Sequence, residues 1–372
     1  MTTEKMINNS YVKGNSRVGY RRRAELMNLT RRVLTGVNDL ASEAVMVTGA
    51  TNFIGYPLCQ ELINSGYKVF GTVKEKDYLH GLMVPVVKYI PLSVDNKTDW
   101  DSFFRSQRVP DAIVHIEELD EVGTKKDNYM FKRVNRDGTS NLASFAAKFG
   151  VKHFILISSI AVNGGGNKKT SFSADDVPEP KTPYAISKWE AEEALKNICT
   201  ASGMKYTILR VPLVYGANVG GPLLSLLKEI SNEEKIPYVD EKNIRNMLYV
   251  RNLTSAILFS MFNAKAQNKV FVLKDAEDFR VTEVIYRLAE LMDKKVRMIK
   301  VPRSGLKLAS YMKLSSHGWL AGRMEIDDTA FLKTGWKPKY STFTGFSEMI
   351  EWFIIVNRKE NKTEKRHRFF IG

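Results

Sequence analysis

Ala44-Val45-Met46-Val47-Thr48-Gly49-Ala50-Thr51-Asn52-Phe53-Ile54-Gly55 is the stretch that decides the fold of this chain. Its apolar start predicts a buried strand over Ala44–Val47, and a helical pattern then continues through Ile63. Gly49 permits a tight turn after the strand, and Gly55 lets the helix pack closely on it. Backbone N–H groups at the start of such a helix face a pyrophosphate. We therefore expect a dinucleotide here, with contacts from Gly49, Thr51, Asn52, Phe53, Ile54 and Gly55.

Asn52 takes the place of the middle glycine in the three-glycine pattern of dinucleotide-binding turns. Asn is among the few residues that adopt a positive φ at low cost. The turn is therefore expected to survive with Asn52 in the left-handed conformation.

Strand and helix patterns alternate after this turn. Apolar runs predict further strands over Tyr67–Val73, Val86–Ile90, Ala112–Ile116, His153–Ile157 and Tyr206–Val211. Helical patterns lie between and after them, at Asn141–Phe149, Tyr184–Thr200 and Val281–Met292. Nearly continuous apolar strands separated by helices indicate a parallel sheet covered on both faces. We predict an α/β fold, a Rossmann doubly wound parallel sheet with a smaller, interleaved C-terminal substrate-binding region.

Changes in composition divide the chain into four parts. Residues 1–43 form a basic N-terminal extension and residues 44–215 the dinucleotide-binding domain. Residues 216–357 form a substrate-binding region that partly returns to the sheet, and residues 358–372 form a basic tail. The two basic ends are either solvated termini or segments that touch an anionic membrane surface.

Charge and cysteine content limit which classes of protein this chain can belong to. The net charge of +15 suits anionic ligands, although solvated lysines explain it equally well. Two cysteines make no disulfide framework, and the scattered histidines lack metal-ligand spacing. No apolar stretch reaches the ~20 residues that cross a bilayer, and no apolar segment of a signal peptide follows the basic N-terminus. We expect a cytoplasmic protein without a metal, a nucleic-acid partner or a transmembrane segment.

The second predicted strand ends at Lys74, where NAD-binding folds of this kind carry a carboxylate for the ribose hydroxyls. A lysine there suits the 2′-phosphate of NADP, and an ordinary surface lysine explains it nearly as well. The cofactor is therefore predicted as NAD or NADP, with Lys74 favouring NADP. Asp95, after the third strand, is placed to bond the adenine amino group.

Tyr184 and Lys188 stand one helical turn apart, so their side chains share a face. A free tyrosine has a pKa of about 10, and a nearby ammonium together with a nicotinamide's positive charge favours the phenolate. Tyr184 can then exchange a proton with a carbinol, while Lys188 also holds the ribose hydroxyls. Ser159, at a strand end, is placed to bond the substrate oxygen. This set predicts interconversion of a carbinol and a ketone.

These motifs resemble the extended short-chain dehydrogenase/reductases, the NAD-dependent epimerase/dehydratase family, over roughly residues 44–355. Further segments that carry the resemblance are Val134–Thr139, Leu209–Gly216, Arg245–Val250 and Thr334–Pro338. Ser158–Gly164 and Pro183–Glu192 are most similar to bacterial nucleotide-sugar epimerases and 4-ketoreductases of surface polysaccharide synthesis.

This resemblance implies several roles. Asn135 would contact the substrate, and Val211 would contact the cofactor. The Arg245 guanidinium would clamp the phosphates of a nucleotide sugar, with UDP as the expected nucleotide, although a surface salt bridge is the alternative for this residue. A homodimer is also implied.

Departures from the family's pattern leave alternatives open. Glu117-Glu118 stand where small residues usually face the cofactor, and carboxylates there would repel a pyrophosphate unless they turn outward or pair with a cation. Gly221-Pro222 replace the usual asparagine near the uridine. The favoured function is an NAD(P)-dependent nucleotide-sugar 4-epimerase or 4-ketoreductase. The alternatives are an NADP-dependent carbonyl reductase acting on a non-sugar substrate, and a catalytically degenerate binding protein.

Overall fold

The computed structural model describes residues 43–74, 83–116, 119, 128–164, 171–239, 243–261, 263–302, 304–305 and 322–369, with side chains described as far as 357. Nearly all of the predicted N-terminal extension and both members of the Glu117-Glu118 pair lie outside the described residues.

A parallel sheet forms the centre of the molecule. Its strands are β1 (Ala44–Thr48), β2 (Lys68–Val73), β3 (Lys88–Pro91), β4 (Ala112–His115), β5 (His153–Ser159), β6 (Lys205–Val211) and, after three strands that lie outside this sheet, β10 (Lys269–Val272). The spatial order is β10-β6-β5-β4-β1-β2-β3, and every neighbouring pair is parallel. This arrangement confirms the predicted Rossmann fold.

The direction of the strand order reverses between β1 and β4. In doubly wound folds such a reversal opens a crevice at the carboxyl ends of the strands, and ligands bind there. Four predicted site residues lie at the carboxyl ends of β1, β2, β5 and β6, so the topology brings them to this same edge: Gly49, Lys74, Ser159 and Val211.

The first helices and turns along the sheet are α1 (Gly55–Asn64), α2 (Trp100–Ser106), α3 (Asn128–Phe131), a π-helix (Lys132–Gly138), α4 (Thr139–Lys148), a 3₁₀ turn (Ile160–Asn163) and α5 (Pro183–Ser202). The helix predicted over Asn141–Phe149 is thus α4, and the π-helix before it was not predicted.

Side chains of β1 alternate between the two faces of the sheet. Val45 and Val47 pack with α1, whereas Met46 packs with α2, α4 and α5 on the opposite face. All five residues of β1 are buried, which is why the strand reads as a continuous apolar run.

The third strand begins later than the sequence predicts. The prediction was Val86–Ile90, but the strand covers Lys88–Pro91. Val86 has a φ of +69° and a half-exposed side chain. A residue in the left-handed region does not continue a strand, so pairing starts only after it.

The second half builds a smaller core and returns one strand to the sheet. Its strands are β7 (Leu213–Tyr215), β8 (Lys235–Tyr238), β9 (Met247–Tyr249), β10 and β11 (Arg297–Lys300), and its helices are α6 (Gly221–Ser231), α7 (Val250–Met261), α8 (Val281–Leu291), α9 (Thr329–Leu332) and α10 (Thr342–Phe369). β7 pairs with β9 and β8 with β11, outside the main sheet.

Helix α10 runs through Phe369. The predicted boundary between a folded region ending at 357 and a separate tail therefore falls inside this helix. Among the described residues, no helix is both long and apolar enough to cross a membrane.

Replacing Gly55 by Ala is expected to destabilise the protein strongly. A Cβ atom at this position would lie 2.1 Å from the Gly49 carbonyl oxygen and 2.8 Å from the Ala50 Cα, both of them backbone atoms. We expect a loss of roughly 3 kcal/mol or more in the free energy of unfolding, measured by urea denaturation.

Gly305→Ala is the matched control, because an added Cβ there meets no atom of the described residues closer than 3.7 Å. A change below about 0.5 kcal/mol is expected for it. If Gly55→Ala lowered the free energy of unfolding as little as this control, that result would contradict the close contact between the turn and the helix.

Candidate cofactor and catalytic site

The turn between β1 and α1 has the geometry that its glycines predict. Gly49 has a φ of +65°, and its carbonyl accepts a hydrogen bond from the Asn52 N–H at 3.1 Å. Ala50 N–H donates to the Thr72 carbonyl of β2 at 3.0 Å. The first residues of the turn are thereby tied to the sheet, and the start of α1 lies at the crevice between β1 and β4.

Asn52 stabilises this turn through its side chain rather than through its backbone conformation. It is not among the described residues with a positive φ, so the expected left-handed conformation is wrong. Its side chain acts instead: Oδ1 accepts hydrogen bonds from the N–H groups of Ile54 at 3.1 Å and Gly55 at 2.7 Å. The carboxamide therefore caps the amino-terminal turn of α1.

The other predicted cofactor contacts lie around the same edge. Thr51 is half-buried in the turn, and Phe53 and Ile54 pack against the core of the C-terminal region. Lys74 directly follows β2 and is half-buried, and Val211 is buried at the end of β6.

Asp95 follows β3 and pairs with Arg133 of the π-helix at 2.5 Å. Burial opposes ionisation of this carboxyl, but the hydrogen bonds from Arg133 and the Lys97 N–H outweigh it, and the pKa of Asp95 lies below its usual range. Arg133 was not singled out from the sequence. A contact between Asp95 and adenine stays a prediction, and Arg133 would share that carboxylate with the base.

His115, at the end of β4, ties together the two strands beside the crevice. Its Nδ1 lies 2.7 Å from Thr48 Oγ1 of β1, and its Nε2 lies 3.0 Å from Thr139 Oγ1 of α4. Thr139 donates its own proton to the Asn135 carbonyl, so Nε2 must be the protonated nitrogen. Burial, followed by the charge of Lys188, lowers the pKa of His115 to about 3, which keeps the ring neutral.

Tyr184 and Lys188 lie on the first turns of α5, as predicted. Thr182 caps this helix by accepting from the Ala185 N–H at 3.2 Å, and Pro183 occupies the first helical position. Tyr184 is half-buried, with its ring edge-on to Phe131 at 6.2 Å. Helix α5 therefore presents Tyr184 at its amino terminus and Lys188 one turn further on.

Lys188 is almost completely buried, with 3% of its surface exposed. Its Nζ donates to the Ile157 carbonyl at 2.7 Å. Ile157 lies two residues before Ser159 on β5, so this bond brings the cation to the strand end that carries the serine. Ser159 closes β5 as predicted, and its Oγ accepts from the Ala161 N–H at 3.2 Å.

Asn135 sits inside the π-helix with 2% of its surface exposed. Its amide bonds both backbone groups of Leu119, at 2.8 and 3.0 Å, and donates to Ser187 Oγ at 3.0 Å. The predicted substrate contact stays a prediction. The observed bonds favour a supporting role, in which Asn135 fastens Leu119, just beyond β4, to the helix of Tyr184. A π-turn at this point fits the frequent occurrence of such turns at functional sites.

A buried ion pair lies beneath the catalytic candidates. Arg210 of β6 bonds both carboxylate oxygens of Glu192 on α5, with a closest distance of 2.7 Å. Ser158 of β5 donates to the same carboxylate at 2.5 Å, and Arg210 also donates to Asn163 Oδ1 at 3.1 Å. This network was not predicted. It fixes α5 against β5 and β6, and so fixes Tyr184 and Lys188 relative to Ser159.

Arg245 lies in the C-terminal region, where its backbone bridges Met324 and its Nη1 donates to the Gly322 carbonyl at 3.0 Å. Burial lowers the pKa of its guanidinium to about 10. The choice between a phosphate contact and a surface salt bridge stays a prediction for this residue. A partly desolvated guanidinium suits recognition of a phosphate.

The arrangement fits a dinucleotide at the β1–β4 crevice. The glycine turn permits a close approach, and the N–H groups of Ile54 and Gly55 at the start of α1 lie at its rim, where they bond the neutral Asn52 side chain. Lys188 and Tyr184 lie further along the same edge, where a nicotinamide and its ribose would meet a substrate carbinol.

Comparison with known proteins agrees with this geometry. The model of the NAD dependent epimerase/dehydratase family matches residues 45–273. A UDP-glucose 4-epimerase of Vibrio cholerae is 30% identical over 329 residues, which cover 85% of this chain and 97% of that protein.

Two solved structures share the fold. A UDP-glucose 4-epimerase from Thermotoga maritima, solved with UDP-glucose, superposes with a TM-score of 0.70 at 24% identity, covering 84% of this chain and 99% of that one. A UDP-glucose 4-epimerase from Thermus thermophilus, solved with NAD, gives 0.69 at 22% identity, covering 83% and 98%.

Arg210→Met is expected to destabilise the protein by about 3–5 kcal/mol, because it leaves the Glu192 carboxylate buried without its cation. Removing both charges in Arg210→Met/Glu192→Leu should cost less than the single change. Urea unfolding of wild type and variants measures both differences.

Lys196→Met is the control, since Lys196 pairs with Glu193 at 2.8 Å on the outer face of the same helix. Its expected effect is about 0.5 kcal/mol or less. A double variant no more stable than Arg210→Met would show that the pair is not a coupled, buried unit.

Proposed function

Because this chain belongs to the NAD-dependent epimerase/dehydratase family of enzymes, we propose that it is a nucleotide-sugar 4-epimerase with Tyr184 as the acid–base group. The observation that carries the proposal is the bond from the buried Lys188 to the Ile157 carbonyl. It joins the start of α5, with Tyr184, to the end of β5, with Ser159, at the sheet edge that holds the glycine turn.

Tyr184 takes the proton of the sugar's C4 hydroxyl and later returns it to the C4 oxygen. A phenolate at Tyr184 would be favoured by its position at the amino terminus of α5 and by the cation of Lys188 one turn further on. Ser159 holds the C4 oxygen by a hydrogen bond in both the carbinol and the ketone states. Bound NAD would supply the hydride acceptor and donor.

Inversion at C4 requires the ketone to turn within the site before the hydride returns to its other face. The protein's task is then to bind the nucleotide firmly while leaving the sugar free to turn. Arg245 supports firm binding of the nucleotide with a mobile sugar, because its partly desolvated guanidinium suits the diphosphate rather than the sugar. The Vibrio cholerae and Thermotoga relatives are both named as acting on UDP-glucose, which supports a UDP-linked substrate.

Tyr184→Phe tests the acid–base assignment. The change removes only the phenolic oxygen, so turnover should fall by about 10²–10⁴-fold while NAD binding changes less than about twofold. Turnover is followed by NMR as interconversion of UDP-glucose and UDP-galactose, and of their N-acetyl counterparts, without added cofactor.

Tyr286→Phe is the matched control, because Tyr286 is 56% exposed on α8, away from the sheet edge. It should leave turnover unchanged. Full activity of Tyr184→Phe would contradict the proposed role, and loss of NAD binding in that variant would show a structural effect instead.

A 4-ketoreductase that uses NADPH is the second candidate, and Lys74 is the observation that favours it. This half-buried cation directly follows β2, at the position where a carboxylate would indicate NAD as the cofactor. A reductase exchanges its cofactor in every turnover, whereas an epimerase keeps it bound.

Lys74→Ala distinguishes the two candidates. If the lysine binds a 2′-phosphate, the change should weaken NADPH binding about tenfold and leave NADH binding unaltered, because one charge-assisted bond is worth about 1.5–3 kcal/mol. Fluorescence titration with both nucleotides measures this. Equal effects on NADPH and NADH, together with cofactor-free isomerisation, would exclude the reductase.

A further inference from the structure

We propose that the Asn52 carboxamide competes with the cofactor's diphosphate for the N–H groups of Ile54 and Gly55 at the start of α1 and thereby weakens dinucleotide binding. The inference rests on the proposed function, in which the glycine turn holds the cofactor. It assigns Asn52 a role opposite to the direct cofactor contact that its position in the motif predicts.

The competition follows from two hydrogen bonds. Asn52 Oδ1 accepts from Ile54 N–H at 3.1 Å and from Gly55 N–H at 2.7 Å. Initial N–H groups of a helix have no partner within the helix, and they are the groups that such turns offer to a phosphate. One side-chain oxygen therefore occupies two of the donors that an anion would use.

Two other amides of the turn are already bonded to β2. Gly49 N–H donates to Thr72 Oγ1 at 3.3 Å, and Ala50 N–H donates to the Thr72 carbonyl at 3.0 Å. Both point back to β2. To gain the N–H groups of Ile54 and Gly55, a diphosphate must therefore displace the Asn52 side chain.

Displacement is feasible without unfolding the turn. Asn52 N–H bonds the Gly49 carbonyl, and the Asn52 carbonyl accepts from Tyr56 N–H at 3.0 Å, so the backbone stays fixed. The side chain is exposed, which leaves it room to rotate away. The consequence is a cofactor that binds less tightly than the same turn would allow with a small residue at position 52.

Asn52→Ala tests the proposal because its two expected effects have opposite signs. Without the cap, the cofactor-free protein should melt at a lower temperature. NAD should nevertheless bind about fivefold more tightly, which corresponds to about 1 kcal/mol at ~1.4 kcal/mol per tenfold change. Calorimetric titration with NAD, and thermal unfolding without it, measure the two effects on protein freed of cofactor.

Asp99→Ala is the matched control. Asp99 caps α2 by accepting from the Ser102 N–H at 3.0 Å. Its removal should also lower the melting temperature but leave the NAD affinity unchanged. A purely structural role of Asn52 would make the two variants behave alike.

The outcomes separate this inference from the proposed function. If wild type binds NAD and Asn52→Ala binds it equally or more weakly, the competition is disproved while the cofactor site stands. If neither protein binds NAD or NADP although both are folded, the assignment of the turn fails and the inference fails with it.

Discussion

Helix α1 can start where it does only because Gly55 has no Cβ atom. The Gly49 carbonyl oxygen lies 2.1 Å from the place where that atom would be. This contact sets how closely α1 packs on β1, and β1 lies between β4 and β2 in the sheet. This steric constraint therefore sets where the start of α1 lies at the crevice beside β1.

Buried polar groups fix the other strands and helices of the sheet relative to one another. His115 links β1, β4 and α4, Asn135 links the π-helix to α5, and the Glu192–Arg210 pair links α5 to β5 and β6. Each group is satisfied by defined partners, and a buried polar group is costly unless it is so satisfied. The networks therefore specify one placement of α5, in which Lys188 bonds the Ile157 carbonyl of β5.

The sequence predicted the local parts of this site well, because their signals are local. Gly49 and Gly55 define the turn, and Tyr184 and Lys188 share a face by helical spacing alone. Contacts between distant segments were not predicted, because the sequence around one partner does not identify the other. Examples are the contact of Glu192 with Arg210 of β6 and that of His115 with Thr48 of β1. The prediction of a left-handed conformation at Asn52 was wrong for a different reason. The Asn52 side chain bonds the amides at the start of α1, and this needs no positive φ.

Isotopic labelling tests whether the C4 hydrogen moves to the cofactor and then back to C4 of the same sugar. UDP-glucose deuterated at C4 is incubated with the protein in ordinary water, without added cofactor, and the product is analysed by mass spectrometry and NMR. The proposed mechanism predicts UDP-galactose that keeps the deuterium at C4, because the hydride leaves and returns within one site. Loss of the label to solvent, or no conversion of this sugar or of its deuterated N-acetyl counterpart, would contradict it.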